Sequence, residues 1–187
     1  DSKYGLVSRE KFTTGLFGGI RGRQNAPSKL KNITLVNPYV LGGKQSGSIG
    51  ALVGYAESLT VENCRAYLDN TAINEWKKKS RAYGVYDADE MYVTAAVGGL
   101  IGRAEGVSIN KSFCALTVVK SSVETGGITG GLVGQIHSEK GYRTNITECY
   151  ADTLSLMGVK VAGLIGEAHG SVLQECYAIG QIHMDRN

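Results

Sequence analysis

One short phrase recurs five times along the chain and constrains the fold more than any other feature of the sequence. The copies follow the pattern small residue, Leu, apolar residue, Gly, and they begin at residues 15, 51, 99, 131 and 163, so the steps between them are 36, 48, 32 and 32 residues. Similarity at such spacings is typical of repeat architectures, in which each unit buries its apolar face against its neighbours. The sequence therefore predicts a stack of similar units.

The last copy shows what one unit contains. An apolar run at residues 161–166 precedes an expected turn at 167–170, and then come residues 171–182. In that last stretch Cys176, Ala178 and Ile182 are separated by even numbers of positions, so on a strand they share one face and Tyr177 lies on the other. Short β-compatible runs broken by glycine are typical of strands, and no helical period of comparable quality is present.

Three positions of the unit align across all five copies. The first is apolar and holds Leu30, Val61, Ile109, Ile146 and Leu173. The second, three residues further on, is called the cysteine position and holds Ile33, Cys64, Ser112, Cys149 and Cys176. The third, two residues beyond that, is apolar or small, as a narrow coil requires, and holds Leu35, Ala66, Cys114, Ala151 and Ala178.

These patterns predict an all-β fold, a right-handed parallel β-helix of about five to six coils that forms a single domain over residues 1–187. Coils in such a stack lie roughly 4.8 Å apart, and parallel crossovers favour the right hand. Residues 4–7 are expected to be what remains of an earlier coil. A β-propeller or β-sandwich is the main competing fold, but propeller blades run to about 40–50 residues, and the two steps of 32 residues are too short for them.

Charge and hydropathy exclude two classes of partner. The net charge is only +3, and the one dense basic run is at residues 77–79, so we expect no nucleic-acid partner. No apolar run approaches the roughly 18–20 residues that span a bilayer, so we expect no membrane insertion. The chain is expected to be a fragment of a longer protein.

The four cysteines favour a ladder of buried thiols over a disulfide framework. Three of them occupy the cysteine position, and no pair has the close spacing of a zinc site. A disulfide between Cys149 and Cys176 stays open as an alternative, because neighbouring coils would bring their Cα atoms to about 5 Å.

The step of 48 residues identifies the place where the repeat is interrupted. The surplus falls within residues 69–94, and insertions in repeat proteins often form the binding face. Its aromatic and cationic residues are the candidate contact surface: Trp76, Lys77, Lys78, Arg81, Tyr83, Tyr86 and Tyr92. The alternative is a segment that folds back over the coil and buries Trp76. A smaller polar insertion lies at residues 21–29 in the first copy.

Catalysis, metals and cofactors have little support in the sequence. The three histidines fit no metalloprotease pattern, and no pair of carboxylates repeats in register. Asp87, Asp89 and Glu90 suggest calcium, but they lack the ligand count and the glycine of a calcium loop. We therefore expect no catalytic residue, no bound metal and no cofactor.

The repeated phrase, with the segment that follows it, resembles the GLUG motif of bacterial surface proteins. The match is clearest where residues 163–166 precede Glu175-Cys176-Tyr177-Ala178 and where residues 131–134 precede the same four residue types at 148–151. The resemblance covers about residues 15–182, with departures in the second and third copies at Ala51, Arg65 and 112–114.

The resemblance implies a secreted or cell-surface bacterial protein, often adhesin-like, with a host protein or glycan as partner. Similar repeats also adjoin IgA1-specific zinc metallopeptidases, whose catalytic motif this chain lacks. The expected function is a non-catalytic binding or spacer module. The alternative is a non-catalytic accessory region of a surface hydrolase such as an IgA1-protease-type metallopeptidase.

Overall fold

The computed structural model describes residues 6–7, 13–43, 45–78, 83–87, 95–122, 126–138 and 142–184. Within these ranges the chain forms strands and a single short helix, α1 (Asn70–Lys77). The strands belong to four sheets in which every pairing between named strands is parallel.

Each sheet collects equivalent strands from successive coils. Sheet 1 contains β1 (Leu6–Val7), β5 (Thr34–Val36), β6 (Tyr39–Leu41), β10 (Arg65–Tyr67), β11 (Gly84–Tyr86), β15 (Phe113–Lys120), β19 (Tyr150–Gly158) and β23 (Tyr177–Met184). Sheet 2 contains β2 (Thr13–Thr14), β7 (Ser48–Gly50), β12 (Ala96–Gly98), β16 (Ile128–Gly130) and β20 (Lys160–Ala162). Sheet 3 contains β3 (Phe17–Arg21), β8 (Val53–Glu57), β13 (Ile101–Glu105), β17 (Val133–His137) and β21 (Ile165–His169). Sheet 4 contains β4 (Ser28–Lys31), β9 (Leu59–Glu62), β14 (Ser108–Asn110), β18 (Thr144–Thr147) and β22 (Ser171–Gln174).

The chain visits sheets 2, 3, 4 and 1 in turn and then begins again, which gives five coils. Strand β1 precedes the first coil and pairs with β6, as expected for the remnant of an earlier coil. The predicted parallel β-helix is therefore confirmed.

The register of the sheets confirms the alignment made from the sequence. In sheet 4, neighbouring coils pair Leu30 with Val61, Val61 with Ile109, Ile109 with Ile146, and Ile146 with Leu173. In sheet 1 the small-residue positions pair in the same way, from Leu35 and Ala66 through Cys114 and Ala151 to Ala178.

The repeated phrase is a bend between sheets 2 and 3. Leu100 is fully buried at this bend, and its carbonyl accepts backbone hydrogen bonds from Leu52 (2.9 Å) and Val53 (3.2 Å) of the preceding coil. The expected turn at 167–170 is only partly right, because β21 continues through residue 169 and only Gly170 turns the chain into sheet 4, while a further bend lies at 163–164. A bent apolar run and a straight strand have the same composition, so the pattern alone did not separate them.

Glycine opens the phrase because the coil wall passes very close to it. A Cβ on Gly99 would lie 2.2 Å from Cys114 Sγ and 2.2 Å from the carbonyl oxygen of Gly131 in the next coil. These distances are far below van der Waals contact, so a side chain here would push two coils apart.

The corner between sheets 4 and 1 carries the most regular backbone feature of the fold. The residue before the cysteine position has a left-handed backbone in every coil, with φ between 47° and 58°, at Asn32, Asn63, Lys111, Glu148 and Glu175. Behind this residue Cys149 Sγ donates to the Thr147 carbonyl at 3.1 Å, and Ser112 Oγ donates to the Asn110 carbonyl at 2.8 Å. In the second to fifth coils the cysteine position therefore supplies a small donor to the corner, whereas Ile33 of the first coil has none.

All four cysteines are free thiols. The ladder of stacked thiols is thus confirmed, and the alternative disulfide between Cys149 and Cys176 is wrong. Burial raises the pKa of Cys149 to about 11, and it raises the pKa of the fully buried Cys114 as well. Both side chains are therefore neutral at physiological pH.

Candidate functional site

The long second step contains helix α1, which is fastened to the coil at its N-terminus. Asp69 Oδ1 accepts a hydrogen bond from the Ala72 amide, and Asp69 Oδ2 accepts one from Asn37 Nδ2, both at 2.9 Å. The Asp69 amide donates back to Asn37 Oδ1 at 2.9 Å. The Ala72 amide and then Asn37 lower the pKa of the Asp69 carboxyl, so an ionised cap joins the helix to the first coil.

Part of the predicted insertion belongs to the regular β-helix rather than to a segment that leaves it. Strand β11 lies inside residues 69–94, but it pairs with β6 on one side and with β15 on the other. The inserted segment that contains α1, which we call the excursion, therefore ends where β11 begins. The sequence did not reveal this, because β11 has three residues and no copy of the repeated phrase beside it.

Two of the predicted contact residues are packed against the coil. Tyr83 is only 8% exposed, and its hydroxyl donates to Glu75 Oε2 of α1 at 2.6 Å. Tyr86 is half-buried, its hydroxyl donates to the Tyr83 carbonyl at 2.9 Å, and burial raises its pKa to about 12. Both tyrosines thus hold the excursion to the coil, and the buried Tyr83 offers little surface to a partner.

The remaining predicted residues are divided between the surface and the undescribed parts of the chain. Lys77 and Lys78 are exposed at the C-terminal end of α1. Trp76 lies within the helix, but its side chain is outside what the structure describes, and Arg81 and Tyr92 lie outside the described residues. The structure therefore places two exposed cations on the predicted surface.

A second candidate site lies at the corner between sheets 3 and 4. Six residues separate the strands at this corner in the first and fourth coils, of which Ser138, Tyr142 and Arg143 are described in the fourth, and one or two residues separate them in the other coils. At this corner lies a solvent-open groove of about 190 Å³, which we call the corner groove. It is lined by residues from four successive coils: Gln24, Pro27, Ser58, Leu59, Thr60, Gly106, Ser108, Tyr142 and Arg143.

Tyr142 is the aromatic residue of the corner groove, and Gly106 provides the space for it. Gly106 has φ of 58°, and a Cβ there would lie 3.2 Å from Cβ and Cδ1 of Tyr142. The tyrosine thus packs on the glycine backbone of the third coil while 38% of it stays exposed.

The polar side chains of the groove are not engaged by the protein. Among the described residues, Gln24, Thr60, Ser108, Tyr142 and Arg143 make no side-chain hydrogen bond or ion pair. Many charges elsewhere on the stack are paired along the ladders, as Lys31 is with Glu62 and Arg21 is with Glu57. The corner groove therefore offers open hydrogen-bonding groups and one open cation.

The sequence prediction missed Tyr142 and Arg143, because the spacing of the repeated phrase carries no signal for them. The repeated phrase keeps a step of 32 residues through the fourth coil, so a longer corner is compensated elsewhere in that coil and leaves the period unchanged. The other wall of the groove belongs to the polar insertion at residues 21–29, which the spacing did reveal.

Over the described ranges, no group of three or more His, Cys, Asp and Glu side chains is arranged to hold a metal ion. No helix in this part of the chain is long and apolar enough to cross a membrane.

Comparisons of the chain with protein-family models, curated proteins and solved structures give no match. The resemblance to the GLUG repeat thus stays a prediction from the sequence.

Proposed function

We propose that this chain is a non-catalytic binding module of an extracellular, adhesin-like surface protein. One observation carries the proposal: segments that exceed the regular coil, among them the docked helix α1 and the six-residue corner of the first coil, lie on the outside of one continuous stack. Insertions on a repeat scaffold commonly form its binding face.

The ionisable side chains support a structural rather than a catalytic use. The buried thiols have a raised pKa, whereas a nucleophilic cysteine needs a lowered one. Glu167 is held by Lys160, Gln135 and His169, and these contacts lower its pKa, the Lys160 hydrogen bond most of all. A carboxyl that stays ionised is a poor general acid.

Glycan and host-protein arrays probed with the folded chain test the proposal directly. Circular dichroism first verifies that the sample is β-sheet, so that a negative result is not due to misfolding. We expect saturable binding to a limited set of array members. A folded chain that binds none of them would contradict a contact role and favour a spacer.

A further inference from the structure

We propose that the corner groove binds a short acidic oligosaccharide. This inference rests on the proposed function, because it names the ligand class and the contact residues of the binding module. It places the contact surface at Tyr142 and Arg143 rather than at the exposed lysines of α1.

The dimensions of the groove favour a chain of sugars over a single ring. Its lining comes from four successive coils, and neighbouring strands lie roughly 4.8 Å apart, so it extends about 14 Å along the stack. The groove is partly open to solvent, so an extended oligosaccharide can lie across it without a gate.

The lining provides the two kinds of contact that a pyranose needs. Tyr142, packed on Gly106, offers an apolar ring to the C–H face of a sugar and a hydroxyl at its rim. The side chains of Gln24, Thr60 and Ser108 offer an amide and two hydroxyls that make no hydrogen bonds within the described protein. Binding sites commonly combine an apolar platform with a few polar groups in this way.

Arg143 selects for a negative charge on the sugar. It is the only cation among the lining residues, which include no carboxylate, and it has no ion pair within the described part of the chain. A guanidinium makes paired, charge-assisted hydrogen bonds to a carboxylate or sulfate. A hexuronate, a sialoside or a sulfated sugar supplies such a group.

Other classes of ligand fit the groove less well. An extended peptide cannot add as a strand here, because β9 is paired with β4 and β14 and β14 is paired with β9 and β18. Nucleic acids depend on several cations along their phosphates, and the lining contains one.

Calorimetric titration of the folded chain tests the inference with three acidic probes: tetragalacturonate, a heparin tetrasaccharide and sialyllactose. Maltotetraose serves as the neutral counterpart of tetragalacturonate. We expect at least one acidic probe to bind, at least tenfold more tightly than maltotetraose. Tyr142→Ala removes the apolar ring and Arg143→Gln removes one charge-assisted hydrogen bond, and each is expected to weaken that binding by at least about tenfold.

Matched variants separate a contact from a folding effect. Tyr142→Phe keeps the ring and is expected to retain most of the affinity. Tyr177→Ala removes a tyrosine that is 54% exposed outside the groove, and it is expected to have no effect. Lys77→Gln, on the exposed end of α1, provides the matched loss of one cation.

The outcomes distinguish this inference from the proposed function. If none of the three acidic probes binds, or if Lys77→Gln reduces binding and Arg143→Gln does not, the corner groove is not the site. Array binding that survives both groove substitutions would leave the proposed function standing while overturning the groove. An array without any bound partner would overturn both.

Discussion

At the scale of single residues, the cysteine position shows how a coil turns its corner. A left-handed residue such as Glu148 costs free energy unless it is glycine, because its Cβ crowds the backbone. The thiol that follows it donates to the carbonyl two residues earlier and, for Cys149, also to the Ile109 carbonyl of the neighbouring coil at 3.6 Å. At Cys149 a small donor side chain therefore fits better than a purely apolar one, such as the Ile33 that holds this position in the first coil.

Replacing Cys149 tests this role. Cys149→Ser keeps a donor and copies Ser112 of the third coil, so we expect a loss of about 1 kcal/mol in the free energy of unfolding. Cys149→Val is more hydrophobic but has no donor and adds a branch at a site that is 1% exposed, so we expect a loss of about 2–3 kcal/mol. Urea unfolding measures both, and a valine variant more stable than the serine variant would show that hydrophobicity alone governs the position.

The raised pKa of Cys149 predicts the direction of a pH dependence. The unfolded thiol ionises near pH 8.5, whereas the folded one stays protonated until about 11. Between these values the unfolded state binds fewer protons, so stability is present below about pH 8.5 and is lost as the pH rises toward 11. The free energy of unfolding, measured at several pH values in this range, is expected to fall less steeply with pH in Cys149→Ser than in the unsubstituted protein. The two slopes differ by at most about 1.4 kcal/mol per pH unit. Equal slopes in the two proteins would contradict the shift.

At the scale of elements, helix α1 depends on two side-chain contacts made by an asparagine in another coil. Asn37 holds both the carboxylate and the amide of Asp69, and it does so from a left-handed backbone with φ of 54°. The eight-residue helix is too short to be stable alone, so its position depends on this contact and on the buried Ala72.

Asn37→Ala is expected to release the start of α1. It removes two hydrogen bonds and strains the left-handed backbone, which together cost about 2–3 kcal/mol. Hydrogen exchange should show lost protection at the amides of Ala72 and Ile73. The control is Asn63→Ala, with a similar φ of 51° and a side-chain hydrogen bond to Asn32 but no contact with the helix. Equal loss of helix protection in both variants would contradict the anchoring role.

The elements differ in how far the sequence could predict them. Two repeat positions were aligned correctly, the one that runs from Leu30 to Leu173 and the one that runs from Leu35 to Ala178. An apolar position that repeats in every coil must stack on its equivalents in the neighbouring coils. The left-handed corner was not predictable at Lys111 or Glu148, because neither residue type favours that backbone. The corner groove was missed for a different reason, since Gln24 and Tyr142 lie 118 positions apart and only the coil count brings them together.

At the scale of the whole molecule, stacking decides burial more than residue type does. Ile146 is 0% exposed between two neighbouring coils, whereas its partner Leu173 in the last coil is 46% exposed. Leu156 and Ile182 differ in the same way, at 0% and 51%. Each coil is thus stabilised by its neighbours, as expected for a one-dimensional stack.

Shortening the apolar side chain at one repeat position of sheet 4, once in an inner coil and once in the last coil, tests this dependence. Ile146→Ala leaves a cavity between coils, so we expect a loss of about 2–5 kcal/mol in the free energy of unfolding. Leu173→Ala removes a side chain that has only one neighbouring coil, so we expect less than about half of that loss. Urea unfolding of both variants measures the difference, and equal losses would mean that the last coil is covered.

The five-coil stack positions the helix, the corners and the groove, and a distance measurement tests it most directly. Lys29 and Val172 lie four coil steps apart in sheet 4, and Thr34 and Tyr177 lie four steps apart in sheet 1. Genetically encoded spin labels at each pair leave the native thiols untouched. Pulsed electron paramagnetic resonance measures the distance between the two labels of a pair. It is expected to give backbone separations of about 19 Å for both pairs, which is four times the strand spacing. Clearly different separations for the two pairs, or a broad distribution in either, would contradict the stack.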